Sequence, residues 1–482
     1  MPFPENKTKI VATIGPASES REVLKRMIEA GVDVARLNFS HGSRATHAAN
    51  IKKIRETAAA TGRRVAIMAD LPGPKMRIGE LEKESIEIGS GNRFTLTVAD
   101  VIGNEKRVSV SFKGLPQAVK SGDRLFLNDG YIELEAIEVS GDDVHCRVII
   151  GGSLRSRKGL NLPGIDLGIS AFTDNDRDWL EFASQQGIDA VSQSFVESAR
   201  DVLAVRRAAD EIQYQPFIIA KIERARARET IDEILDAADG IMIARGDLGV
   251  EIPIEQIANA QKYIMRKANT RGKPVITATQ LLESMISNRR PTRAEATDVA
   301  NAILDGTDSV MLSGESAMGG YPVESVEMLA KIATATEPHR SSNHIMEAIG
   351  KRRSVNSANP QDLIALSVAT TVSRITPPTV IVPTRGGATA RRISRFRLPV
   401  WISAVSSEEK TCQDLLFSYG VFPYQETDHP DAWKSWACEW MRKHKLEGDL
   451  VLVTEGPSRK HPGRNNRMEI IDLRDLAARC DS

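Results

Sequence analysis

The chain has 482 residues, with 64 Lys and Arg against 64 Asp and Glu and a formal net charge of zero. That length exceeds what one small core organises, so two or three domains are expected, and the charge balance gives no electrostatic footprint for a nucleic-acid partner. The opening MPFPENKTKI lacks a charged-then-apolar signal pattern and no long apolar run follows, so the expectation is a soluble, cytoplasmic protein with no membrane partner.

Short apolar runs rich in β-branched residues recur at KIVATIG (from 9), DVARLNF (from 33), RVAIMADL (from 64), AVSQSF (from 190), FIIAKIE (from 217), GIMIARGDLG (from 240), PVITATQ (from 274) and SVMLSGE (from 309). They are continuous rather than alternating, which suits parallel strands buried on both faces. Helical patterns lie between most of them. In REVLKRMIEAG, Val23, Leu24, Met27 and Ile28 share a face and Gly31 is a stop signal; PTRAEATDVANAILDG carries a capping box, Thr292-x-x-Glu295. Eight such units predict a (β/α)8 TIM barrel.

Between the third and fourth units the period changes. Residues 72–168 alternate apolar and polar (SIEIGSGNRFTLTV, DRLFLNDGYIELEAIEV, DDVHCRVII) with Gly and Asn-Asp-Gly turns, the mark of half-exposed antiparallel strands. The expected organisation is a first barrel part at 1–71, an inserted small β-barrel lid domain at 72–168, the rest of the barrel at 169–340, and a C-terminal α/β domain at 341–482. The last opens on the polar stretch SSNHIMEAIGKRRSVNSANP and has strands near TVIVPT, PVWISAVS, DLVLVTEG and EIIDL. Cys146, Cys412, Cys438 and Cys480 are far apart, form no Cys-x-x-Cys pair, and read as reduced structural thiols.

Active sites of such barrels form at the carboxyl ends of the strands. The polar residues there are Arg36, Asn38, Ser40 and His41; Asp70; Ser194; Lys221 and Glu223; Arg245 and Asp247; Thr279 and Gln280; Ser313 and Glu315. Seven of the eight strands thus contribute to one mouth, too many for unrelated surface residues. Glu223 and Asp247 are hard oxygen donors with no His or Cys beside them, a pairing that favours Mg2+ or Mn2+ over zinc. Lys221 lies two residues before Glu223, so both point to one strand face. Arg36 and Arg77 add guanidinium forks suited to phosphate. A divalent metal, a lysine and two arginines suit a site that holds or moves phosphate and carboxylate groups. These residues alone leave phosphoryl transfer and metal-assisted enolate chemistry both open.

The runs TKIVATIGPAS, VARLNFSHG, KIE, GIMIARGDLGVEIP, TATQLLESM and PTRAEATDVANAILDGTDSVMLSGESAMGGYP, in this order, resemble those of pyruvate kinases, and the resemblance spans the whole chain. It implies phosphoryl transfer from phosphoenolpyruvate to ADP, giving pyruvate and ATP in the last step of glycolysis. It further implies that Glu223 and Asp247 hold Mg2+, that Lys221 neutralises charge on the phosphoryl group and the enolate, and that Gly246, Asp247 and Thr279 hold the substrate carboxylate, with Ser194 and Ser313 also at the substrate. Arg36 and Arg77 would grip the phosphoryl group and Asn38, His41, Arg77 and Lys158 would meet the nucleotide, under a lid that excludes water. A homotetramer is implied as well. Two other classes stay in view: a Mg2+-dependent lyase of the phosphoenolpyruvate/pyruvate barrel type, and a non-catalytic sugar-phosphate sensor, which would be expected to have lost Lys221, Glu223 or Asp247.

The chain departs from the family pattern in several places. Ser198 and Met318 stand where lysines are common, and KIERARA replaces the usual KIEN, putting Arg224, Arg226 and Arg228 at a helix start, either as a solvated face or as a contact with another domain or an anionic effector. In the C-terminal domain PTRGGATARR can present Thr384, Arg385, Gly386, Gly387 and Thr389 to the phosphate of a sugar-phosphate or AMP effector, with the basic loop GPSRKHPGRNNR nearby; Gly386 and Ala388 replace hydroxyl residues of relatives. Relatives bind K+ with residues matching Asn38, Ser40, Asp70 and the backbone of Leu71, a position usually threonine, and carry glutamate where this chain has Lys75. A lysine ammonium is a tethered monovalent cation that would repel K+ from the same place, so K+ is expected not to be required.

Overall fold

A computed structural model of the chain describes residues 3–165, 167–340, 359–428, 430, 432–456 and 466–474. Eight parallel strands close into a barrel: Lys9–Thr13, Val34–Asn38, Ala66–Leu71, Ala190–Gln193, Phe217–Ile222, Gly240–Ala244, Val275–Ala278 and Ser309–Leu312. They are buried along nearly their whole length, as their continuous apolar runs require. Alternate residues face opposite ways. Val11, Val34, Met68, Ile219, Met242 and Met311 fill the interior, while Ile10, Ala12, Ile67 and Ile218 pack outward against the helices.

Local signals set the helix ends. Helix Arg21–Ala30 starts at Ser20, whose hydroxyl accepts from the Val23 amide, and stops at Gly31, where φ is 125°. It buries Leu24, Met27 and Ile28. Helix Arg293–Leu304 has the expected box, with Thr292 and Glu295 capping each other's amides.

The inserted residues form a six-stranded sheet in the order Leu160–Asn161, Arg124–Leu127, Ile132–Ser140, Asp143–Ile150, Arg93–Thr97, Arg107–Ser109, and a ribbon of Gly152–Arg155 with Ser85–Ile88. Alternating residues such as Phe94, Leu96, Leu125, Leu127 and Leu134 make its separate core. Asn128, Asp129 and Gly130 turn the chain with φ of 53°, 56° and 89°, the left-handed conformation that Asn, Asp and Gly tolerate.

The C-terminal sheet runs Val421–Gln425, Trp401–Ser406, Thr379–Pro383, Leu450–Glu455, Arg467–Asp472, with the last strand antiparallel. Val421–Gln425 does not stand out in the sequence because Pro423 interrupts it; it lies at the sheet edge, where a missing N–H is tolerated. This domain closes the amino end of the barrel. Phe417 stacks on Phe217 with centroids 5.2 Å apart and planes 6° from parallel, and Leu416 and Phe417 join the barrel's interior cluster. Beside them Arg397 reaches both oxygens of Asp308 at 2.7 Å, and the Tyr419 amide donates to the same carboxylate at 2.9 Å.

Cys146 and Cys412 are buried free thiols, and burial pushes them up to about 12 and about 11. Cys438 is half-buried. The polar stretch after 340 and the basic loop GPSRKHPGRNNR fall largely outside the described residues, as does Cys480. Among the described residues no helix is long and apolar enough to cross a membrane.

Candidate active site

At the carboxyl ends of the strands a cavity of about 130 Å3 is lined by Arg36, Asn38, Ser40, Asp70, Lys75, Ser194, Lys221, Glu223, Asp247, Thr279 and Ser313, with Phe195, Met242, Ala244 and Met311 as its apolar walls. A larger cleft, about 1280 Å3, lies at the other end between the barrel and the C-terminal domain. Chemistry is assigned to the smaller one, because the strand-end charges converge there.

Asp70 is the centre of the arrangement. It is 3 % exposed and accepts from Arg36 Nε at 3.0 Å, from Arg36 Nη2, and from the Ser192 hydroxyl at 2.8 Å. Lys221 Nζ lies 3.3 Å from it, 2.7 Å from Glu223 and 2.8 Å from Ser194 Oγ. Ser194 in turn donates to the Leu71 carbonyl at 2.8 Å, and Arg36 Nη1 donates to Thr13 Oγ1 at 2.8 Å. Burial opposes the charge on Asp70, but Lys221 and Arg36 outweigh it and hold the carboxyl far below its usual range. Burial likewise opposes the charge on Lys221, and the carboxylates of Asp70 and Glu223 prevail, raising its pKa.

Glu223 receives the Phe195 amide at 2.8 Å on its second oxygen. Asp247 stands at the rim of the mouth, where the protein packed around its carboxyl and the charge of Glu223 push its pKa up to about 6. The two carboxylates stand together, Glu223 with Lys221 at 2.7 Å and Asp247 under the longer-range charges of Lys221 and Lys75. They fit a hard divalent cation that takes one or two protein carboxylates and fills its other positions with substrate and water oxygens.

Backbone strain clusters at the same mouth. Phe195, Thr279 and Gln280 have φ of 59°, 69° and 54°, costly for an aromatic or β-branched residue and held only where surroundings enforce it. Thr279 is fixed by its hydroxyl, which accepts from the Gly246 amide at 2.8 Å and donates to the Ala278 carbonyl at 2.7 Å. Arg245 and Glu315 turn away from the cavity: Arg245 holds Asp298 and the Thr279 carbonyl, and Glu315 accepts from the Leu282 and Ser313 amides.

Arg77 lies outside the cavity lining, its guanidinium on the Arg157 carbonyl at 2.9 Å, and Lys158 is half-buried nearby with its carbonyl on the Ile78 amide. His41 is exposed at the rim. Its pKa is lowered by partial burial and by the charges of Lys75, Arg77 and Arg36, so this side of the mouth is electropositive. Arg224 is not a solvated face residue. It is buried, pairs with Glu197 at 2.9 Å and Glu251 at 3.0 Å, and donates to Ile165 O where the chain returns from the inserted domain. Arg226 is half exposed and Arg228 lies beside Tyr263.

Sequence reading missed Ser192 and Thr13. Ser192 is two residues before Ser194 on one strand, so the period of two could have found it; Thr13 supplies the polar end of the first strand, the one of eight without an assigned group. In the C-terminal domain Thr384 Oγ1 accepts from the Gly387 amide at 3.0 Å, Arg385 pairs with Glu408 at 3.5 Å, and Arg385 and Gly386 are exposed. Thr389 is half-buried on the helix that follows.

A closed parallel barrel with a β-domain inserted after its third strand and a cation-rich, carboxylate-bearing mouth defines a class of barrel enzymes acting on small phosphorylated anions. Residues 5–326 match the family described as "Pyruvate kinase, barrel domain" and residues 362–471 match "Pyruvate kinase, alpha/beta domain". The chain is 50 % identical over 480 residues to a pyruvate kinase of Thermococcus litoralis, covering 98 % of this chain and 100 % of the relative. It is 42 % identical to a pyruvate kinase of Geobacillus stearothermophilus, covering 98 % and 82 %. A crystal structure of a pyruvate kinase from Cryptosporidium parvum superposes with a TM-score of 0.90 at 36 % identity, covering 97 % of this chain and 96 % of that one. The chain belongs to the pyruvate kinase family.

Proposed function

We propose that this enzyme transfers the phosphoryl group of phosphoenolpyruvate to ADP, giving pyruvate and ATP in the last step of glycolysis in the cytoplasm. The observation that carries the reading is the single cavity that joins Arg36, Lys221, Glu223, Asp247 and Thr279 in a chain of this family. Glu223 and Asp247 would hold Mg2+ or Mn2+, which when bound supplies Lewis-acid stabilisation of negative oxygen. Lys221, kept protonated by Asp70 and Glu223, sits where charge shifts from the phosphoryl group to the enolate. Arg36 faces the phosphoryl group, Gly246 and Thr279 face the carboxylate end, and Ser194 and Ser313 complete the lining. The cavity is smaller than the roughly 300–1,000 Å3 of most ligand pockets, so ADP lies across the open rim against Asn38, His41, Arg77 and Lys158. Closure of the inserted domain then excludes water.

Lys75 takes the place of K+. In support, it lines the cavity beside Asn38, Ser40 and Asp70, while two oxygens that a K+ ion would use already have partners: Leu71 O accepts from Ser194 and Asn38 Oδ1 from the Ser40 amide. The turn at 384–389, with Arg385 and Gly386 exposed, receives a sugar phosphate or AMP, and the active form is a homotetramer.

A coupled assay for pyruvate from phosphoenolpyruvate and ADP tests the reaction, with Lys221→Met as control; no ADP-dependent turnover with Mg2+ present overturns it. Full activity in tetramethylammonium salts is expected, and Lys75→Glu should lose most activity there and regain it on adding K+. Wild-type activity that collapses without K+ would refute the Lys75 role. A shift in phosphoenolpyruvate half-saturation on adding glucose 6-phosphate, fructose 1,6-bisphosphate or AMP identifies the effector.

A further inference from the structure

The chain crosses between barrel and inserted domain twice, once outward through residues 71–77 and once back through residues 167–173. Asp176, in the first turn of helix Asp174–Gln185, is 0 % exposed and ties the outward crossing to the start of that helix. One oxygen accepts from the Gly73 amide of the outward crossing at 2.9 Å. The other accepts from the Thr173 amide at 2.8 Å and the Thr173 hydroxyl at 2.7 Å on the return. Three donors on one buried carboxylate exceed what a helix cap needs, because the Gly73 bond spans 103 residues and plays no part in the helix.

Gly73 is itself tightly confined. Its φ is 63°, and a Cβ there would lie 2.9 Å from the Phe195 ring and 3.1 Å from Ser194 Cβ. Its carbonyl accepts from the Lys75 amide at 2.9 Å, so the turn fixed by Asp176 is the one that carries Lys75 to the mouth. Its neighbours Phe195 and Ser194 are bound to Glu223 and Lys221.

We infer that Asp176 is a positioning residue for the reaction: it ties the outward lid crossing to the capped start of a barrel helix and sets the Gly73 turn on which Lys75 and lid closure depend. This rests on the lid reading given above. A carboxamide has one acceptor oxygen, so in Asp176→Asn at least one backbone N–H faces an NH2 group and is left unsatisfied.

The test combines amide hydrogen exchange with coupled kinetics on the full-length enzyme. Asp176→Asn should speed exchange at Gly73, raise KM for ADP and lower kcat together by about tenfold, and release more phosphate from phosphoenolpyruvate per ATP formed. Thr173→Ala, which loses the same helix's cap hydroxyl but keeps the Gly73 bond, should lower Tm without changing the phosphate-to-ATP ratio. Gly73→Ala reaches the same turn from the lid side and should reproduce the kinetic defect, which keeps the test open if Asp176→Asn does not fold. A folded Asp176→Asn with wild-type KM for ADP and wild-type coupling overturns the inference. The lid reading fails separately, if the wild-type inserted domain gains no exchange protection when phosphoenolpyruvate and ADP bind.

Discussion

The two ends of the barrel each carry a buried aspartate bonded to arginine, and they are built for opposite purposes. At the floor, Asp308 is saturated by Arg397, the Tyr419 amide and the Val275 amide at 3.0 Å, in a polar seam with Asn269 and Arg395 beside the aromatic stack. At the mouth, Asp70 is also saturated, but its partners Arg36 and Lys221 line an open cavity together with Lys75, Glu223 and Asp247. The floor spends its charges on holding a domain. The mouth keeps its charges facing a cavity where they can meet a substrate, an arrangement preorganised for charge that develops during reaction.

The largest effect that can separate the two ends is Lys221→Met. It should lower kcat per folded molecule by about a thousandfold, equivalent to about 4 kcal/mol of transition-state stabilisation, and it should also lower Tm, because Asp70 and Glu223 lose their buried cation. If kcat falls by less than tenfold, the mouth is not the reacting centre. The converse change is Arg397→Met. Removing one partner of a buried pair typically costs about 3–5 kcal/mol, and the low end is expected, because the Tyr419 and Val275 amides continue to cap Asp308. Urea unfolding should report that loss while kcat per folded molecule stays within about twofold.

The barrel was legible because its strands are buried on both faces and its helices announce their ends, as at Ser20, Gly31 and Thr292. The site was legible in its strand-end charges, since a residue after an apolar run in a barrel has one destination. What escaped were features created by pairing across distant segments. Asp176 has no mark of its own in the sequence, because its partner Gly73 lies 103 residues away. Arg224 leaves two readings open, a solvated face or a contact with another domain or effector, until Glu197 and Glu251 enclose it. The left-handed backbone of Phe195 and Thr279 leaves no local mark, because neither residue type favours it, and Val421–Gln425 was hidden by a proline that only an edge position permits.

The finest test of the contrast is Phe417→Leu. Phe217, its stacking partner, opens the very strand whose far end carries Lys221 and Glu223, so this pair is where the floor would influence the mouth if it could. The substitution keeps most apolar volume and loses the ring pair, a change of about 1 kcal/mol. A close-packed interior of alternating Val, Ile and Met around the stack should absorb the loss within the first layer. Stability should therefore drop by about that amount, with the phosphoenolpyruvate half-saturation unchanged. A several-fold shift in half-saturation from this small change would instead show that the fifth strand transmits the state of the C-terminal domain to Lys221, and the division between a holding end and a reacting end would have to be replaced by one coupled strand.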